Sequence, residues 1–179
     1  HWYFTTPAAA VLGTLTASDV TDSTLTLNCS YNVALDTGDS VKFQQSADEE
    51  FTTPSNIVAT VDTVNKTFSA DITGLDSGTT YYYRACITLV GDTTNGTATE
   101  VMTNWTVTAT SDANGTITCA ENVPDGDPLF ITLTPDEGYE VDTFTVDLVD
   151  KKSLLVDNEY TVEEVTADIA VAATFKLIT

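Results

Sequence analysis

Apolar and polar residues alternate along most of this chain with a period of two. Leu25, Leu27 and Cys29 interleave with Thr26, Asn28 and Ser30, and Val41 and Phe43 with Lys42 and Gln44. Phe68, Ala70 and Ile72 follow; then come a turn at Asp76-Ser77-Gly78, a run with Tyr81, Tyr83, Ala85 and Ile87, a Gly91-Asp92 turn, and Ala98–Met102. Such segments, recurring about every 8 to 12 residues with turn residues between them, predict a β-sandwich. Seven strands can be drawn between about Ala8 and Thr103, and no window carries a helical stripe. The pattern restarts at Asn104-Trp105. TVTATSDANGTITC reads as strand, Asn-Gly turn, strand, a hairpin on the argument that Asn-Gly accepts positive φ. Further β segments are predicted at Ile131–Val141 and Tyr160–Phe175.

At Gly74–Ile87 the residues GLDSGTTYYYRACI resemble the E–F corner and F strand of a fibronectin type III domain. That resemblance implies that Tyr81 is the corner tyrosine, its hydroxyl bonding back to the turn. Ser77 stands where the family often has proline, and Cys29 where many members carry a core tryptophan. The three β pieces after Asn104, in order, resemble a divergent internalin B-repeat-like module, a small β-rich unit common in secreted bacterial proteins. Its β-grasp-like fold permits a short helix. Phe144 lies near the position where that family usually places tryptophan. The expected fold class is therefore all-β: a fibronectin type III/Ig-like sandwich over residues 8–103, then a second small β-rich (β-grasp-like) domain over residues 104–179.

Residues 1–7, HWYFTTP, fit neither module. Trp2–Thr6 resembles the last strand of a type III domain that is absent. It is either the stub of a preceding domain or an orphan strand, whose Trp2, Tyr3 and Phe4 add to the sheet edge of a neighbouring subunit. Strand addition satisfies edge N–H and C=O groups, and repeated head to tail it builds a filament rather than a closed ring.

Charge narrows the partners. The 179 residues hold 27 Asp and Glu against 6 Lys and Arg, a net charge of −21. Such a surface repels nucleic acid and anionic membranes, so neither is an expected partner. No apolar run approaches the ~18 residues of a membrane-spanning helix, and membrane insertion is not expected. The 35 Thr suit strands with a wet outer face. Asn-x-Ser/Thr sequons at Asn28, Asn65, Asn95, Asn104 and Asn114 offer glycosylation sites in an extracellular or cell-surface setting. Asn28 should point outward, opposite Leu25, Leu27 and Cys29.

Three cysteines cannot all pair within one chain. Parity places Cys29 on the inner face and Cys86 out of phase with Tyr83, Ala85 and Ile87, so no Cys29–Cys86 disulfide is expected. A Cys86–Cys119 bridge stays open.

The single histidine, His1, removes Ser-His-Asp and Cys-His schemes, and the scattered cysteines form no zinc cluster. No enzyme and no metal centre is expected. Loop carboxylates such as Asp36/Asp39 or Asp125/Asp127 offer oxygen ligands of the kind calcium takes, but no EF-hand spacing accompanies them. Tyr82 and Arg84, projecting from the outer face of strand F, form a candidate sugar-contact pair. Trp105, at the module boundary, is expected to serve in packing. The function expected is a non-enzymatic extracellular structural or adhesive protein, a filament (pilus or fibre) subunit if Trp2–Phe4 dock. Its partners would be itself or neighbouring domains, with glycans or a surface receptor further candidates. The alternatives are an accessory spacer or sugar-binding region of a larger secreted glycan-active enzyme, or a virion fibre protein.

Overall fold

A computed structural model describes residues 9–179. The strand expected at Trp2–Thr6 lies outside the described residues. The chain divides into two compact units. The first comprises the residues up to Val20, Thr24–Gly74 and Thr80–Met102; the second comprises Thr21–Ser23, Leu75–Thr79 and Thr103–Thr179. The second unit thus includes two short loops, at Thr21–Ser23 and Leu75–Thr79, that lie within the sequence span predicted for the sandwich.

The strands of the first unit are β1 (Thr16–Ser18), β2 (Thr24–Ser30), β3 (Ser40–Ser46), β4 (Ser55–Val58), β5 (Thr60–Asp62), β6 (Thr67–Thr73), β7 (Thr80–Leu89), β8 (Asp92–Asn95) and β9 (Thr99–Met102). One sheet runs β1-β2-β6-β5; the other runs β4-β3-β7-β8, with β9 also on β7. All these pairings are antiparallel. This is the expected fibronectin type III/Ig-like sandwich, its last strand broken into β8 and β9. Alternation sets the inner face: Leu25, Leu27 and Cys29 are buried while Asn28 and Ser30 are exposed. Phe43 of β3 meets Phe68 of β6 across the sheets at 4.7 Å between ring centroids. Both rings are essentially inaccessible to water, and burying each is worth about 1.5–3 kcal/mol.

The second unit holds β10 (Trp105–Ser111), β11 (Gly115–Thr118), β12 (Asn122–Val123), β13 (Leu129–Pro135), β14 (Tyr139–Val146), β15 (Val149–Asp150), β16 (Glu159–Val162) and β17 (Ile169–Leu177). A five-stranded sheet is ordered β12-β10-β17-β14-β15, and a three-stranded sheet is ordered β11-β13-β16. β10 and β17 run parallel, Val107 opposite Ile169 through Ser111 opposite Ala173. One core joins the sheets: Leu129, Ile131 and Leu133 of β13 bury with Val107, Phe144, Val171 and Phe175. Phe144 is fully buried and meets Tyr160 edge-on at 5.5 Å. Among the described residues the only helical element is one 3-10 turn, Lys152–Leu154.

The hairpin predicted around Asn114-Gly115 does not form. β10 pairs with β12 and β17, whereas β11 pairs with β13 in the other sheet. The chain crosses between sheets at an Asx turn. Asp112 accepts the Asn114 N–H through Oδ1 at 3.0 Å and the Phe175 N–H through Oδ2 at 2.9 Å. Neither Asn114 nor Gly115 has positive φ. Glycine is needed at 115 for space, because a Cβ there would stand 2.6 Å from the Phe175 ring.

Candidate functional site

The residues flagged for chemistry divide between the two units. On β7, Tyr82 and Arg84 share the outer face and are half-buried. The Arg84 guanidinium carbon lies 4.2 Å from the centre of the Phe51 ring, and Nε donates to Gln44 Oε1 at 2.8 Å. Phe51 reaches this face from a loop, at φ +55, a conformation costly for a bulky residue. Asp48 steadies that loop: its carboxylate accepts from Ser46 Oγ, Thr52 N–H and Thr52 Oγ, each at 3.0 Å. The Thr52 amide, foremost, holds the Asp48 carboxyl below its ordinary pKa. Negative charge on Glu100, with smaller parts from burial and from Glu49 and Glu50, pushes the Tyr82 phenol up. The guanidinium plane is thus already stacked on Phe51, while Tyr82 sits in an acidic surround.

Cys86 follows the parity argument, and no Cys29–Cys86 disulfide is present. It is on the outer face, as predicted, yet fully buried, with Sγ 3.5 Å from Gln44 Oε1. Cys29 donates weakly to Gly13 O at 3.4 Å. All three cysteines are free thiols, so the Cys86–Cys119 bridge is not formed. Burial raises the pKa of each, which lowers its thiolate fraction and its reactivity.

One carboxylate of each acidic pair, Asp39 and Asp125, holds another segment of the chain. Asp39 accepts the Asp36 N–H at 2.9 Å and the Val90 N–H at 3.0 Å. Asp125 accepts the Trp105 indole N–H at 2.7 Å. Among the described residues no three of His, Cys, Asp and Glu come together as a metal-ligating group. Of the sequons, Asn28 and Asn95 are exposed on β2 and β8. Asn65 is exposed and donates to Asp62 Oδ2 at 2.7 Å. Asn104 is half-buried and donates to Asn122 Oδ1 at 2.7 Å; Asn114 is half-buried at the Asx turn.

One polar cluster was invisible in the sequence. In the second unit Asp168 Oδ1 accepts both Ser77 Oγ at 2.6 Å and the Thr106 N–H at 2.8 Å, joining positions 91 and 62 residues apart. Thr106 Oγ also donates to Asp22 at 3.0 Å. Gly78, at φ +53, lies directly against the Trp105 ring, where any Cβ would collide. Serine at 77 in place of proline therefore has a physical reason: its hydroxyl is needed by Asp168. No spacing rule links these positions.

Residues 105–179 match the Divergent InlB B-repeat domain family. This B-repeat module coincides with β10–β17, and Phe144, near its expected tryptophan position, fills the centre of the core. Among solved structures, the FN1–FN3 domains of chicken CNTN1 align over 92% of this chain at 11% identity, with a TM-score of 0.37. The chain spans 65% of that chain's length. No curated protein matches the sequence.

The first unit carries a groove. It has a volume of about 610 Å³ and runs between residues 10–15 and the broken edge at residues 94–99, with Ala85 between them. No lining residue carries a charge.

Proposed function

We propose that this chain is a non-enzymatic structural module of an extracellular or cell-surface assembly, and that copies join head to tail when Trp2, Tyr3 and Phe4 add as a strand to a neighbour. The observation that carries the non-enzymatic part is the employment of the carboxylates. Asp39, Asp48, Asp62, Asp112, Asp147 and Asp168 each accept backbone N–H groups that fix turns or strand ends. The acids act as staples of an all-β scaffold and as a hydrated, mutually repelling coat. The B-repeat match and the exposed sequon asparagines Asn28 and Asn95 agree with a surface setting.

The test is electron microscopy of the full chain beside a variant lacking residues 1–6. Filaments from the full chain that disappear in the variant support the reading. Filaments that survive the deletion, or a full chain that stays monomeric up to millimolar concentration, sink it.

A further inference from the structure

The strand-addition reading names a donor and leaves the acceptor open. We infer that the acceptor is the groove of the first unit between residues 10–15 and 94–99, and that it takes Trp2–Thr6 of a second copy as an added strand.

Backbone direction is the first argument. Gly13 N–H donates to Ser30 O at 2.8 Å, Asn32 N–H donates to Val11 O at 3.2 Å, and Leu12 bridges Tyr31. Strand alternation then turns the N–H and C=O of Leu12 to the opposite side, towards the groove. Across it, Gly96 N–H donates to Ala85 O at 2.8 Å, so the neighbouring Asn95 directs its backbone groups away from β7. Between β8 and β9 the register on β7 slips by one residue, which keeps this edge from closing as one continuous strand. Two extended segments therefore face each other with outward hydrogen-bonding groups.

Size and charge give the second argument. Small residues, Gly13, Ala85, Gly96 and Ala98, leave the space, while the proposed donor brings Trp, Tyr and Phe. Groove and donor are both uncharged, on a chain of net charge −21. Docking of two copies here brings no carboxylate into the contact. Length agrees too: five residues extend about 17 Å, and the edge from 94 to 99 about 20 Å.

The inference rests on the proposed donor role of residues 2–6, and the experiment separates the two. In a Cys119→Ser background, chains carrying Tyr3→Cys are mixed with chains carrying Thr94→Cys, Thr97→Cys or Thr99→Cys and mildly oxidised. An intermolecular disulfide in at least one mixture is expected, since bridging requires the Cα atoms to come within about 7 Å. Separately, Asn95→Pro, made in a host without N-glycosylation, removes an outward N–H while sparing the β7 ladder. It is expected to raise the concentration needed for polymerisation about tenfold with the first unit still folded by circular dichroism. Polymers that need residues 1–6 but tolerate Asn95→Pro, with no cross-link, overturn the groove and leave the donor reading standing. A third sample, single chains carrying Tyr3→Cys together with one groove cysteine, reads closure within one copy: cross-links confined to it overturn both.

Discussion

The two units use the same strands and cores but end their sheets differently. The larger sheet of the B-repeat module finishes on both sides in two-residue strands, β12 and β15. Very short edge strands offer little to an incoming chain. In the sandwich the corresponding edge is β8 followed by β9, four residues each, broken at Gly96 and lying beside a groove. The smaller B-repeat sheet ends in four-residue strands, β11 and β16, so what sets the sandwich edge apart is its break beside the groove. A broken edge beside an uncharged groove, rather than fold class or edge length, is the difference between the two units.

Their interiors differ as well, and mutations can break or sharpen that contrast. The largest effect is expected from Phe144→Ala, which removes the ring at the centre of the B-repeat core and should cost that unit about 3–5 kcal/mol. Urea unfolding followed by hydrogen exchange should show protection lost in β13, β14 and β17 while β2, β3 and β6 keep theirs; equal loss in both units would mean that the two fold as one. Next comes Gly115→Val. The added side chain meets Phe175 and should cost about 1–3 kcal/mol in urea, whereas Gly38→Ala, at a glycine whose Cβ would meet nothing, carries only the strain of φ +100.

Asp168→Ala should cost about 1–2 kcal/mol by unpairing Ser77 and Thr106, and Asp168→Asn, which keeps an acceptor oxygen, should recover part of it. The smallest change has the opposite sign. Tyr83 is fully buried in the sandwich, its hydroxyl has no partner, and burial pushes its pKa far above the ordinary value. Tyr83→Phe should therefore leave the sandwich as stable or up to about 1 kcal/mol more stable, read as a higher denaturation midpoint.

Acid adds a graded test of the loops. Asp48 and Asp62 are held below their ordinary value of 3.8, foremost by the Thr52 and Asn65 amides. A depressed folded-state pKa means that their contribution is complete above 3.8 and is lost as pH falls below it towards the lowered values. Backbone exchange at Thr52, Val64 and Asn65 should quicken, relative to unfolded-chain rates at the same pH, only in that acid range. Unchanged protection there would deny the two carboxylates their role.

How much of this was readable beforehand depended on whether a feature is local. Alternation located β2, β3, β6 and β7 and put Leu27 inside and Asn28 outside, because side-chain direction along a strand is set by its own pleat. Partner choice is not local. The Asn114-Gly115 pair looks like a hairpin turn, yet β10 takes β17 as its neighbour some sixty residues later, and Gly115 answers to Phe175. Parity gives the face of Cys86 and is silent on its burial, because an outer face can be covered by its own neighbours, here including Gln44. The pairing of Asp168 with Ser77 left no trace in spacing.

The parallel seating of β10 beside β17 has a mechanical consequence. A pull applied at residue 105 and residue 179 draws these two strands past each other lengthwise. The backbone bonds along the five facing pairs, from Val107 with Ile169 to Ser111 with Ala173, then bear the load together. In an antiparallel hairpin such as β7–β8, tension at the open ends unzips one pair after another. Stretched along its length, the B-repeat module should hold as a clasp sheared whole.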